Sequence, residues 1–148
     1  GKMDKQNFHV KVKEIAAKNP RLFALESDNR ADDEMIKDVE RYYDIILPDF
    51  YRDFLCHYGG GYFGCVIVYS CDGKGLFYIR DNAIKEWISE KLFLPVVDFE
   101  TGDFLGFEIK EGVCQDIVSL YSHEEEDVYE LGMDFYEALL KYGLQDNG

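Results

Sequence analysis

The segment at residues 45–61 constrains the fold of this chain more than any other part of the sequence. Pro48 suits the first position of a helix, where its missing N–H would have no partner in any case. The side chains that follow recur at helical spacing and form one apolar face: Phe50, Tyr51, Phe54, Leu55 and Tyr58. Gly59 can end the helix in the left-handed conformation, and Gly60 lets the backbone pass close to a neighbouring element. The segment therefore predicts a buried aromatic helix, and it contains no obvious catalytic chemistry.

The composition predicts a folded, acidic domain. The 148 residues fit a single domain over residues 1–148, and 47% hydrophobic and 16% aromatic residues are too many for a disordered chain. The formal net charge is −14, and residues 96–148 carry 14 acidic but only 2 basic side chains. Such a chain is poorly suited to direct nucleic-acid binding, which requires a basic surface. It is better suited to a basic protein partner.

The sequence shows neither a membrane segment nor a metal-binding cysteine pattern. No apolar run approaches about 18 residues, and the charged start of the chain does not resemble a signal peptide. Gly1 and Lys2 are interpreted as a cloning remnant ahead of Met3. The four cysteines include no C-x-x-C pair: Cys56, Cys65, Cys71 and Cys114. We therefore expect a cytoplasmic protein with reduced thiols and with no metal, cofactor or membrane partner.

Hydrophobic periodicity and capping residues predict the order of the elements. Helices are predicted over 8–18, from a cap at Asp32 or Asp33 to Tyr43, within 47–61, from a cap at Asp81 or Asn82 through Ile88, and over 133–142. Strands are predicted over 62–69 and 76–80, as a hairpin, and over 93–99, 104–109 and 113–120, with an acidic loop at 122–127. The expected fold class is α+β. It is a single domain with a largely antiparallel sheet of about five to six strands, on which helices from both ends of the chain pack.

Three motifs resemble the SUKH superfamily, which includes the Smi/Knr cell-wall-synthesis regulator of yeasts and many bacterial immunity proteins. The first joins an acidic amphipathic helix, a leucine-proline pair, an aromatic helix and a glycine pair: Asp33–Tyr43, Leu47 and Pro48, Tyr51–Leu55, and Gly59 and Gly60. The second is a strand-turn-strand segment at residues 101–107, with Gly102, Asp103 and Gly106. The third is a terminal helix at residues 135–140. Together they cover about residues 30–142.

The resemblance implies a protein-binding module without enzymatic activity. Bacterial members of the superfamily typically neutralise a toxin, often a nuclease or a deaminase, that is encoded beside them. The chain departs from the family pattern in one place, because residues 43–46 contain no glycine ahead of Leu47. The helix before this loop is therefore expected to end without a glycine cap.

Several chemically suggestive groups have simpler structural explanations. Cys56 and His57 could suggest a thiol–imidazole pair, but adjacent helical residues do not face each other and no third orienting group is evident. The glycines at 59–61 follow a helix, whereas a phosphate-binding loop precedes one. The run from His123 to Asp127 lacks the alternating ligands and central glycine of a calcium loop. It is a solvated charge run, an acidic loop that faces a partner or, least favoured of the three, a metal site.

The sequence therefore favours an acidic partner-binding surface. Its candidate residues are Asp98, Glu100, Asp103, Glu124, Glu125, Glu126 and Asp127. The leading hypothesis is a bacterial immunity protein that docks this surface into the basic groove of a cognate nuclease or deaminase toxin and so blocks substrate entry. The alternative is a general regulatory or scaffold module of the same fold with a cellular, non-toxin partner. A carboxylate-dependent hydrolase is disfavoured, because the sequence shows no set of nucleophile, base and orienting group.

Overall fold

Helices form the part of the chain before Gly59. The computed structural model describes residues 3–146, so Gly1 and Lys2, the interpreted cloning remnant, lie outside the described residues. Its helices here are α1 (Lys5–Lys18), α2 (Asp33–Tyr43) and α3 (Asp49–Tyr58), with a 3₁₀ turn at Pro20–Phe23. Within this part of the chain, and in the rest of the described residues, no helix is long and apolar enough to cross a bilayer.

Capping side chains set the boundaries of these helices. The Asp4 carboxylate accepts a hydrogen bond from Asn7 N at 2.8 Å, and Asp32 accepts one from Met35 N at 2.9 Å. α1 therefore begins at Lys5, three residues before the predicted start. Helix α2 ends without glycine, as predicted, because Asp44 itself adopts the left-handed conformation with φ +55°.

Helix α3 is confirmed, with one correction at its start. Pro48 has extended backbone, φ −67° and ψ 151°, so it occupies the N-cap rather than the first helical position. Gly59 ends the helix at φ +80°, and its N–H donates to Leu55 O at 3.1 Å. A Cβ on Gly59 would lie 2.4 Å from the Asp28 carbonyl oxygen, so the glycine is required for both conformation and space.

The rest of the chain builds an antiparallel meander. Its strands are β1 (Gly61–Phe63), β2 (Val66–Val68), β3 (Phe93–Asp98), β4 (Phe104–Lys110), β5 (Val113–Ser122) and β6 (Asp127–Asp134). Each strand pairs with the next along the chain, so β1 and β6 form the two edges of the six-stranded sheet. Between β2 and β3 lie helices α4 (Ile79–Asn82) and α5 (Lys85–Lys91). The α+β class and the antiparallel sheet are therefore as predicted.

The hairpin predicted from residues 62–69 and 76–80 is wrong. A turn at Gly64 and Cys65 divides the first stretch into β1 and β2, which pair with each other. Residues 76–80 do not form a strand, because the Asp28 carboxylate accepts hydrogen bonds from Leu76 N and Phe77 N and helix α4 begins at Ile79. The predicted strands at 62–69 and 76–80 both rested on β propensity. In residues 76–80 the long-range contact with Asp28 overrides that propensity.

Further differences from the predicted elements concern α5, β6 and the closing helix. Asp81 and Asn82 lie at the end of α4 and do not cap α5, which begins after Ile84. Strand β6 was not predicted, since half of its side chains are acidic or glycine and its apolar residues are only half-buried or exposed. The closing helix consequently starts at Phe135 as α6 (Phe135–Ala138) and continues into a π-helical turn at Leu139–Gly143.

The core is aromatic and lies between the sheet and the helices α1, α3 and α6. Phe54 of α3 contacts the rings of Phe63 and Phe135 at centroid distances of 5.2 and 5.9 Å. Tyr51 is fully buried, and its hydroxyl donates to Tyr69 O at 2.6 Å. The opposite face of the sheet carries a second aromatic group that covers it together with α5: Trp87, Phe93, Phe104 and Tyr121.

Candidate functional site

The structure brings all seven predicted acids to one end of the sheet. Strands β4 and β5 run antiparallel with Phe104 opposite Tyr121, so the β3–β4 loop and the β5–β6 loop leave the sheet side by side. Asp98 ends β3, and the first loop carries Glu100 and Asp103. The second loop carries residues 124–126, and Asp127 begins β6. We name these seven residues together the acidic end. Among the described residues, none of them has a lysine or arginine ion-pair partner.

The pair of Asp103 and His123 joins the two loops of the acidic end. The backbone N–H of His123 donates to Asp103 Oδ1 at 2.9 Å, and His123 Nδ1 lies 2.6 Å from the same oxygen. These hydrogen bonds lower the pKa of the Asp103 carboxyl. Gly102 has φ +96°, and a Cβ there would lie 3.1 Å from the His123 ring. The predicted Gly102–Asp103 turn therefore positions the neighbouring loop as well as its own.

The acids differ in how far the protein itself engages them. Asp98 is half-buried, where Tyr69 donates its hydroxyl to Oδ2 at 2.7 Å and Glu100 N donates to Oδ1 at 2.7 Å. Tyr129 donates its hydroxyl to Glu125, which raises the pKa of Tyr129 to about 12. Glu100 and residues 124–127 are exposed to solvent. Asp98 and Asp103 thus shape the loops, and the exposed acids present the charge.

A second acid-rich surface lies between α3, β5 and α6. It is a cleft of about 420 Å³ with four carboxylates around apolar side chains: Asp49, Asp116, Asp134 and Glu137, with Pro48, Phe50, Ile117 and Met133. Burial and the hydrogen bond to Asp134 raise the pKa of Glu137. Asp134 also accepts from Glu137 N at 2.8 Å as the cap of α6. Much of this carboxylate chemistry therefore serves the local fold.

Sequence reasoning missed a polar cluster where α1 crosses α3. His9 Nε2 lies 2.8 Å from Asp53 Oδ2, and His57 Nδ1 lies 3.5 Å from Asp53 Oδ1. Tyr136 donates its hydroxyl to Asp53, and the Tyr58 hydroxyl lies 2.5 Å from His9 Nδ1. The i, i+4 spacing of Asp53 and His57 was readable in the sequence. The contact with His9 was not, because it joins residues 44 positions apart.

The electrostatics of this cluster favour an ionised Asp53. Burial alone would raise its pKa, but the hydrogen bonds from Tyr136 and His9 and the nearby His57 lower it below the ordinary 3.8. The same burial, with Asp53 beside it, raises the pKa of Tyr58 to about 12. The cluster is therefore a carboxylate held among phenols and imidazoles, and it connects α1 to α3 and α6.

Cys56 does not join this cluster as an activated thiol. Burial and the carboxylates of Asp33 and Asp53 raise its pKa, whereas a nucleophilic cysteine requires a lowered one. His57 makes its hydrogen bond to Asp53 O at 2.9 Å and not to the cysteine. The arrangement agrees with the structural explanation of the Cys56–His57 pair.

We expect Asp53→Asn to lower the free energy of unfolding at pH 7 by about 2 kcal/mol, since hydrogen bonds to a charged group contribute about 1.5–3 kcal/mol. The pKa of Asp53 is lowered by folding, so its stabilising effect is present above about pH 4 and is lost as the pH falls through the folded pKa. Urea denaturation at pH 7 and at acidic pH measures the loss of stability and its dependence on pH. The difference between wild type and variant should shrink in acid.

The control for this prediction is Asp116→Asn, an exposed carboxylate on β5. It should change the free energy of unfolding by less than about 0.5 kcal/mol at either pH. Equal stability of the Asp53→Asn variant and the wild type at pH 7 would contradict the stabilising role of the cluster.

The described features define a small α+β domain, built on an antiparallel meander and an aromatic helix, that presents acidic loops at one end. The family model described as SMI1-KNR4 cell-wall, SUKH_6, matches residues 33–139. A search of curated proteins found no match. The chain belongs to the SUKH, or SMI1-KNR4, family, as its motifs predicted. Membership supports a protein-binding module. The matched segment contains the acidic end but not His9.

Proposed function

We propose that this protein is an immunity protein that neutralises a cognate nuclease or deaminase toxin by stoichiometric occlusion of its basic active-site groove. The observation that carries the proposal is the acidic end, where seven carboxylates from two hairpins lie together without lysine or arginine partners among the described residues. Such toxins need a basic groove for a polyanionic substrate. An acidic surface of complementary shape can occupy that groove and exclude the substrate.

The geometry of the two loops suits this role. The Asp103–His123 contact fixes the loops relative to each other before any partner binds. Pre-organisation lowers the entropic cost of association, so more of the interaction energy contributes to affinity. The expected interface is of standard size, about 1,600 Å² in total, and acts without catalysis. Electrostatic attraction would then raise the association rate above the range typical of neutral partners.

A general regulatory or scaffold module with a cellular, non-toxin partner is the second candidate. The cleft beside Phe50 favours this scaffold function, because its apolar side chains and carboxylates form a second binding surface away from the acidic end. The two functions differ in the partner. An immunity protein is encoded beside a toxin that arrests growth, whereas a scaffold module needs no such neighbour.

The test is co-expression with the product of the adjacent gene, followed by measurement of growth rescue and of binding kinetics. The test variant combines Glu124→Lys with Glu126→Lys, and the control combines Glu86→Lys with Glu90→Lys, which makes the same charge change on exposed positions of α5. We expect the test variant to lower the association rate at low salt by about 10- to 100-fold, and the control by much less. The wild-type rate should fall steeply as salt is added.

Full rescue and an unchanged association rate in the Glu124→Lys, Glu126→Lys variant would contradict occlusion by the acidic end. Equal losses of association rate in the test and control variants would also contradict it, because they would show that net charge matters and the position of the charge does not. A partner that binds but does not arrest growth would favour the scaffold function.

A further inference from the structure

The cluster at the crossing of α1 and α3 has the composition and spacing of a metal site. A ring nitrogen of His9, a ring nitrogen of His57 and a carboxylate oxygen of Asp53 all lie within 4.8 Å of one another. A tetrahedral ion with ligands at about 2.0–2.2 Å separates neighbouring ligand atoms by about 3.3 Å. His9 Nε2 lies 2.8 Å from Oδ2 of Asp53, and His57 Nδ1 lies 3.5 Å from Oδ1. Binding an ion would therefore require a small outward shift of the His9 ring and the exchange of the His57 Nδ1 hydrogen bond to Asp53 O for the metal.

The groups around the three side chains resemble the outer partners of metal ligands. A ligating histidine is usually oriented by a hydrogen bond at its other ring nitrogen, and a ligating carboxylate by a further donor. Without an ion, His9 Nε2 donates to Asp53, so a bound ion would replace that proton, and His9 Nδ1 would then donate to the Tyr58 hydroxyl oxygen. Tyr136 donates its hydroxyl to Asp53. Tyr136 is buried in the core, and Tyr58 is half-buried and packs against it.

Access and charge also suit an ion. The side chain of Asp53 is 14% exposed, whereas that of His57 is 51% exposed. An ion could therefore enter from solvent beside His57, and its remaining coordination position would face solvent. The carboxylate of Asp53 supplies one negative charge in a partly buried setting, where it attracts a cation more strongly than a surface carboxylate does.

We propose that His9, Asp53 and His57 bind one divalent transition-metal ion, and that Zn²⁺ is the ion to test first. Two imidazoles and one carboxylate suit zinc and its neighbours in the first transition row. Ca²⁺ and Mg²⁺ prefer oxygen ligands and should bind far more weakly. The site is independent of the acidic end, and the ion would join α1, which lies before the family-matched residues 33–139, to α3 within them.

The experiment is a calorimetric titration of the metal-stripped full chain with Zn²⁺. Co²⁺ absorption serves as a second readout, because its spectrum reports coordination geometry. Cys56→Ser and Cys65→Ser form the background, since both thiols are exposed and could bind zinc on their own. We expect one Zn²⁺ per chain and a rise in the thermal unfolding midpoint, because an ion that binds only the folded state stabilises it.

The decisive variants are His57→Gln and His123→Gln. Both histidines are about half exposed, at 51% and 50%, so neither replacement should prevent folding. His57→Gln should weaken Zn²⁺ binding by about tenfold or more and abolish the shift in the unfolding midpoint. His123→Gln should leave both unchanged. His9→Gln should behave as His57→Gln if the variant folds.

Three results would overturn the inference. One is the absence of stoichiometric Zn²⁺ binding. Another is equal binding by the wild type and the His57→Gln variant. The third is Mg²⁺ binding as tight as that of Zn²⁺, which would indicate attraction to surface carboxylates. None of these results bears on toxin binding, so the two proposals fail or succeed separately.

Discussion

Replacement of Gly106 by alanine is expected to lower the free energy of unfolding by about 3 kcal/mol or more, because the new methyl group has no space. Gly106 lies in β4 opposite Pro95, and a Cβ there would lie 1.9 Å from the Leu94 carbonyl oxygen and 2.8 Å from the Phe93 ring. The first neighbour is backbone, so β3 and β4 would have to separate locally. Overpacking of a well-packed interior typically costs about 1–3 kcal/mol and more where backbone must move.

The measurement is the yield of soluble folded protein, with near-ultraviolet circular dichroism and urea denaturation of whatever folds. Gly73→Ala is the matched control, because its Cβ would meet only the Tyr78 ring at 3.9 Å, an ordinary contact. This variant should change the free energy of unfolding by less than about 1 kcal/mol in either direction. A Gly106→Ala protein as stable as the control would show that the two strands can adjust freely.

Phe54→Ala should lower the free energy of unfolding by about 3–5 kcal/mol. Phe54 is fully buried, and its ring contacts those of Tyr58, Phe63 and Phe135. Truncation would leave a cavity between α3, the sheet and α6. Since small domains are stable by only about 5–15 kcal/mol, this one replacement would remove a large share of the total.

Urea denaturation measures this loss, and Leu76→Ala provides the comparison. Leu76 is 69% exposed, so its replacement should change stability by no more than about 0.5 kcal/mol. A small effect of Phe54→Ala would mean that the surrounding rings collapse into the cavity, and would weaken the view of α3 as the centre of the core.

The local signals in the sequence were sufficient where they agreed with the tertiary structure. The leucine-proline pair, the aromatic spacing and Gly59 predicted α3, with an error of one position at Pro48. They failed where a distant group decides the conformation. Asp28 accepts hydrogen bonds from Leu76 N and Phe77 N, nearly 50 positions along the chain, and this contact replaces the predicted strand. Hydrophobic periodicity gives no information about such a contact.

The candidate site shows the same division. The seven acids could be named from the sequence, and the antiparallel order explains why they meet, because alternate hairpin loops leave a meander at the same end. The join between Asp103 and His123 could not be foreseen, since it depends on the register of β4 and β5. The His9 cluster requires the packing of α1 on α3, for which the sequence holds no local signal.

Strand β6 has a consequence for how the molecule behaves at high concentration. It is an edge of the sheet and carries Asp127, Glu130 and Asp134 along its length. An unprotected edge invites a second copy to extend the sheet, and like charges placed opposite each other in paired strands oppose that extension. Two molecules approaching edge to edge through β6 would therefore repel, which opposes growth of one sheet into the next as the concentration rises.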